Sequence, residues 1–143
     1  MRRTAPLLAA LAAVAVACGP SGGDAPGEGA ARCETGLDVP AGFHITGSDE
    51  IRQVGWIAVR ESYRDENGRA LHVIVGLAGE FGEGLPAAGT LVLAGGGEAR
   101  LVGEGTSWLA VWDQGGPCSQ RVVGGEGFGR GGFVRVLGEL GVT

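Results

Sequence analysis

Polar and apolar residues alternate through much of this chain after Val54, and that rhythm predicts strands. The longest extended run is Val54 to Tyr63, in which Ile57, Val59 and Tyr63 share one face and Glu61 is the charged member of the row. Asp65-Glu66-Asn67-Gly68 then marks a turn, and a second run follows from Ala70 to Leu77. A two-residue turn at Asn67-Gly68 sets the apolar row Leu71, Val73, Val75, Leu77 against Arg64, Ser62 and Arg60. A three-residue loop with Gly68 in the left-handed conformation shifts the register by one. It places Tyr63, Val59 and Ile57 opposite Leu71, Val75 and Leu77, which is the pairing the pattern favours.

Shorter runs repeat the theme. Leu37 to Phe43 introduces a first strand limited by Pro40 and Gly42, and a polar break follows at Gly47-Ser48-Asp49-Glu50. Glu80 to Gly89 reads as a glycine-rich loop. Thr90–Ala94 and Ala99–Val102 read as strands around Gly95-Gly96-Gly97-Glu98, and Trp108–Trp112 as a strand with both tryptophans on one face. The turn Asp113 to Pro117 leads into a last strand, Cys118–Val123. The rhythm then changes: Phe133, Val136, Leu137 and Leu140 fall at helical spacing, with Arg135 and Glu139 opposite. The expected fold class is α+β, mainly an antiparallel sheet or meander with one C-terminal amphipathic helix packed on it. Gly131, Gly132 and Gly138 make that helix dependent on burial rather than propensity.

The N-terminal pattern is different. Arg2 and Arg3 precede eleven uncharged residues, Leu7 to Ala17, too few to span a bilayer and enough for the core of an export signal. Ala15-Val16-Ala17-Cys18 resembles a bacterial lipobox, which implies a diacylated Cys18 as the first mature residue; the same residues also satisfy the A-x-A rule for ordinary signal cleavage. From Gly19 to Ala31 the chain has no apolar side chain larger than alanine or proline and reads as a flexible tether. Such a tether reaches roughly 20 Å as a coil. The expected division is therefore a signal peptide at 1–17, a lipidated cysteine and tether at 18–31, and one β-rich domain at 32–143. The expected location is the bacterial cell envelope, on the outer membrane or on the outer face of the cytoplasmic membrane.

Charge and cysteine count narrow the partners. After Cys18 there are nine arginines, no lysine and sixteen acids, a net charge of −7, which disfavours nucleic acid or an anionic bilayer surface as a partner. Thirty glycines, about three times the usual share, must lie mostly in turns, and a chain so rich in glycine gains from a covalent staple. Cys33 and Cys118 supply one if they pair, the alternative being two buried free thiols. Pairing leaves Cys18 as the odd thiol, which lipidation would use. No cysteines remain for a zinc site.

Other candidate chemistry is sparse. Gly127-Phe128-Gly129-Arg130-Gly131-Gly132 has the G-x-G-x-x-G spacing, yet only eleven residues follow, too few for the parallel strand and acidic ribose partner of a dinucleotide site. It reads as a turn that lets the helix fold back. His44 and His72, with Glu61 or Asp65, lack metal-site spacing, and Glu61 reads as a sheet residue reaching water rather than a functional carboxylate. Ser107 and Ser119 lack a nucleophile-elbow context, so no catalytic residue, metal or cofactor is expected. Trp108, Trp112 and Tyr63 are the candidate ligand-binding residues, a stacking platform for sugars or an apolar ligand, against the alternative that they fill the core.

One family resemblance rests on Val39-Pro40-Ala41-Gly42-Phe43, on Tyr63 with Leu71-His72-Val73, and on Leu109-Ala110-Val111-Trp112, Cys118 and Val122-Val123-Gly124 before a terminal helix. Their order is similar to extracytoplasmic domains of anti-sigma-factor-like bacterial membrane proteins, which look like half of a lipoprotein-carrier sheet. The resemblance implies a curved antiparallel sheet with a helix on its concave face and a sensing or binding role. The sequence departs from that family's pattern in showing no transmembrane helix or cytoplasmic domain and in placing a lipidated cysteine in front, so a sigma-factor link is not expected. The expected function is a lipid-anchored, non-enzymatic envelope domain that binds an envelope protein or an apolar ligand. A structural subunit pairing through a strand edge, and an enzyme, are the alternatives from other classes.

Overall fold

The computed structural model describes residues 30–143. The signal peptide, Cys18 and the tether up to residue 29 lie outside the described residues. Eight strands form one sheet: β1 (Ala31–Arg32), β2 (Phe43–Arg52), β3 (Trp56–Asp65), β4 (Ala70–Val75), β5 (Ala87–Val92), β6 (Glu98–Glu104), β7 (Ser107–Asp113) and β8 (Gln120–Glu126). A single helix, α1 (Arg130–Glu139), follows among the described residues. The chain is thus α+β, as the hydrophobic pattern predicts.

Two meanders, β2-β3-β4 and β5-β6-β7-β8, join through antiparallel pairing of β4 with β8, where Val73 faces Val123. β1 runs parallel to β3, pairing Ala31 with Trp56, so the sheet begins at a residue assigned by sequence to the tether. The β3–β4 register places Tyr63 opposite Leu71, Val59 opposite Val75 and Glu61 opposite Val73. Gly68 carries the positive φ of +81° that the three-residue loop requires. β4 stops at Val75, two residues before Leu77.

The N-terminal meander departs from expectation. Gly47 to Glu50 is no break: it lies inside the ten-residue strand β2, paired with Ser62 to Val59 of β3. Cross-strand pairing overrides local polarity there, since Asp49 binds Arg60 across the strands and Glu50 binds Arg32. Leu37 to Val39 is not strand. Phe43 starts β2 after a turn in which its N–H donates to Pro40 O and Gly42 has φ +85°.

The helix covers one face of the sheet. Phe133, Val136, Leu137 and Leu140 pack onto Tyr63, Leu71, Val73, Leu101, Ala110 and Val123 as one buried cluster. Burying each large apolar side chain contributes roughly 1.5–3 kcal/mol. This burial holds a helix whose N-cap, Gly129, makes no side-chain capping bond. On the other face, Val102, Val111 and Val122 are also buried. The connection between β4 and β5 crosses this face as a strap. Arg100 Nη2 donates to Phe81 O, Gln120 Nε2 to Gly79 O and Gly103 N to Pro86 O. Gly82 of the strap sits so close that a Cβ there would lie 2.6 Å from Val102 Cγ2.

Candidate functional site

The helix and sheet meet in a buried apolar cluster, and an opening among the described residues lies instead at one end of the sheet. It is a groove of about 610 Å³, a size suited to a small molecule. Four segments wall it: Thr35–Leu37, the β5–β6 turn with its triple glycine, the ends of β7 and β8 at Trp112 and Arg121, and the tail at Gly141–Val142. Each wall is anchored. The Cys33–Cys118 disulfide, with an S–S distance of 2.03 Å, fixes the first beside the start of β8. The tail is held by Val142 N donating to Leu137 O and by Ala94 N donating to Val142 O. Leu93 N donates to Gly97 O, closing the β5–β6 turn.

Trp112 and Arg121 face one another across β7 and β8 and point to the same side as the core. Each carries a buried nitrogen without a partner. Trp112 Nε1 and Arg121 Nε are the buried side-chain polar atoms without a hydrogen-bond partner among the described residues. The other two tryptophans differ: Trp56 Nε1 donates to Gly76 O at 2.8 Å, and Trp108 Nε1 to Phe128 O at 3.0 Å. A buried donor left without an acceptor costs about 1–3 kcal/mol, so native proteins rarely leave one without a cause such as an ion, a water or a ligand. Arg121 Nη1 donates to Thr35 O at 2.8 Å and weakly to Glu34 O, and no carboxylate pairs with this guanidinium among the described residues. Burial pulls its pKa down from the ordinary arginine value. Trp112 and Arg121 therefore line the groove with an unused indole N–H and an unused guanidinium N–H covered just behind its wall, and Glu98 and Asp113 are exposed at its rim.

The three ligand candidates read from sequence do not form one platform. Trp108 belongs to the buried cluster and is 8% exposed, with its N–H satisfied inside. Tyr63 is buried and its hydroxyl donates to Glu61 Oε1 at 2.9 Å. Trp112 lines the groove but is only 6% exposed, too little for an open stacking face. Glu61 thus serves as the acceptor for Tyr63. Sequence reading missed Arg121, although a signal was present: it occupies the inward row of β8 with Val123 and Gly125, where a charge calls for a partner.

The remaining candidates are dispersed. His72 Nδ1 lies 2.9 Å from Ser62 Oγ, and His44 is exposed on β2. Among the described residues no group of three His, Cys, Asp or Glu is placed to hold a metal. The glycine-rich segment makes the β8–α1 turn, with Gly127 at φ +86° and its N–H donating to Thr106 O. Arg69 fills the space beside it, 5.0 Å from the Phe128 ring centroid and 5.7 Å from that of Phe43. Ser107 Oγ approaches Glu126 Oε2 at 3.4 Å, and Cys118 is in the disulfide.

No protein-family model, curated protein or solved structure matches this chain.

Proposed function

We propose that this chain is an exported, lipid-anchored, non-enzymatic domain of the bacterial envelope that captures a small ligand in the groove beside Trp112 and Arg121. The carrying observation is the pair of unsatisfied donors, Trp112 Nε1 and Arg121 Nε, at the wall of an opening of about 610 Å³. Export and anchoring rest on the apolar run Leu7–Ala17 and on Cys18 in a lipobox-like setting. The tether that follows, with an r.m.s. reach of roughly 20 Å as a coil, would hold the domain near the bilayer without pressing it in.

The test compares the natural chain with Gly95→Trp, both extracted from membranes. Gly95 lines the groove, has no positive φ, and a Cβ added to it would meet nothing within 4 Å. A large side chain is therefore accommodated there without backbone strain and is expected to narrow the opening. A small molecule recovered with the natural chain and lost from Gly95→Trp supports the reading. Equal recovery from both contradicts it. Mass spectrometry of the mature N-terminus tests the anchor separately, with a diacylated Cys18 expected.

A second reading is favoured by β5. Its sequence, Ala87 to Val92, has no charged residue, its outer edge has no partner among the described residues, and Val92 is 74% exposed. The opposite edge, β2, carries Asp49, Glu50 and Arg52 and a bulge between Ile45 and Gly47, features that discourage strand addition. β5 is the edge through which an envelope protein would add a strand.

A further inference from the structure

The groove's charge arrangement says more about its ligand than its volume does. Arg121 brings one half-buried cation to the groove wall, and its Nη1 donates to Thr35 O and weakly to Glu34 O. The remaining Nε–Nη2 edge is the side of a guanidinium that takes a planar carboxylate through two parallel bonds. Nε has no acceptor among the described residues, and Trp112 Nε1 is a further unused donor on the neighbouring strand. Trp112 is more than nine-tenths buried, so solvent does not meet that need. Both nitrogens are covered in this conformation, so binding requires the Arg121 side chain to move aside as a ligand enters.

The rim has the opposite sign. Glu98 and Asp113 both line the opening and are exposed, and Asp113 Oδ1 accepts the Gly115 N–H at 2.8 Å, which fixes that carboxylate in place. A ligand with two or more negative charges would gain one cation and meet two anions. A neutral apolar ligand would leave the guanidinium unpaired in a drier site, which costs more than leaving it in water. The arrangement suits a ligand that is negative at one end and positive at the other.

We infer that the groove binds a zwitterion of amino-acid or short-peptide size, its free carboxylate on the Nε–Nη2 edge of Arg121 and on Trp112 Nε1, its ammonium toward Glu98 and Asp113. The inference rests on the groove being the binding site. The apolar walls, Leu37, Leu93 and Val142, are left for the ligand's side chains. Peptides with free carboxyl ends are the class that fits.

The test is calorimetric titration of the purified full chain with trialanine, trialanine amide, N-acetyl-trialanine and inorganic phosphate. The inference expects trialanine to bind at least about ten-fold more tightly than its amide, because a charge-assisted pair is lost. It expects a smaller loss on N-acetylation, and no binding of phosphate at concentrations where trialanine saturates. Arg121→Lys keeps the charge but not the fork, and should weaken the acid while narrowing its advantage over the amide. Acid and amide binding alike, with Gly95→Trp abolishing both, would overturn the zwitterion inference and leave the groove reading standing. Tighter binding of phosphate, or no binding of any peptide, would also overturn the inference, and the groove reading would then be decided by the membrane-extraction comparison. The acid-against-amide comparison is made on the natural chain, so that outcome does not depend on whether a variant folds.

Discussion

A Cβ placed on Gly125 would lie 2.5 Å from Cδ1 of Phe133, so the fully buried ring rests directly on the backbone of β8. The helix approaches the sheet closely at that point because β8 offers no side chain there. Gly125→Ala should force the ring away and destabilise the domain by about 1–3 kcal/mol, the usual cost of overpacking. Gly129→Ala, in open space at the helix start, is the control and should change stability little. Chemical denaturation of both variants checks the contrast, and equal midpoints would remove Gly125 from the account of helix docking.

The Cys33–Cys118 disulfide spans 85 residues and closes almost the whole domain. In the chain-entropy account a loop of that length stabilises by roughly 4–5 kcal/mol, with strain and residual structure reducing the value. Replacing both cysteines by serine should lower the denaturation midpoint strongly and loosen the Thr35–Leu37 wall of the groove. An unchanged midpoint would mean that the packing of Cys33 against Gly76 and Trp56, rather than the covalent link, holds that end of the sheet.

Tyr63 is the single tyrosine of the chain, so an ultraviolet titration reads it alone. Burial, its hydrogen bond to Glu61 and the negative charge of Glu61 together push its pKa up to about 12. Because the folded value is raised, the neutral phenol favours the fold fully below about pH 10, the unfolded value, and that contribution is lost as pH rises through about 12. Glu61→Gln should lower the transition toward the ordinary value. A transition near pH 10 in the natural, folded chain would contradict the buried Tyr63–Glu61 pair.

Asp65 should contribute to the acid limb of stability. Burial alone pushes its carboxyl up, but Arg69 outweighs that through side-chain and backbone hydrogen bonds and its charge, and Asn67 N–H adds a further bond, so the pKa falls below the usual carboxylate value. A lowered folded value means the contribution is complete above about pH 4 and disappears as pH falls through that lowered value. Asp65→Asn should therefore flatten the loss of stability below about pH 4. An unchanged acid limb, measured as melting temperature against pH, would assign that loss to other carboxylates.

The β3–β4 hairpin was legible because two independent signals agreed: the alternating row through Val59 and Tyr63, and Asn67-Gly68 at the turn, whose Gly68 takes φ +81°. The helix was legible from the spacing of Phe133, Val136, Leu137 and Leu140. The β2 strand was not, since Gly47 to Glu50 has no local strand preference and is held by pairs such as Asp49 with Arg60, which only the folded sheet brings together. The groove was less legible still. Its walls come from segments as far apart as Thr35 and Val142, and its chemistry depends on which nitrogens lack partners once everything else has packed. Trp112 was readable as a candidate, but its meaning depended on Arg121, whose place in the inward row of β8 was the single hint.

If the groove beside Trp112 and Arg121 is where a ligand binds, the indole N–H groups report on it directly. The three tryptophans give three indole signals in a nitrogen-correlated NMR spectrum, each assignable by single replacement with phenylalanine. Titration with the small-molecule fraction extracted from bacterial envelopes should shift the Trp112 signal as its donor gains an acceptor, while Trp56 and Trp108, already bonded inside, stay in place. The same titration of Gly95→Trp should leave Trp112 unmoved. A Trp112 signal that stays fixed in the natural chain while other resonances shift would place the ligand elsewhere and contradict a binding groove at Trp112 and Arg121.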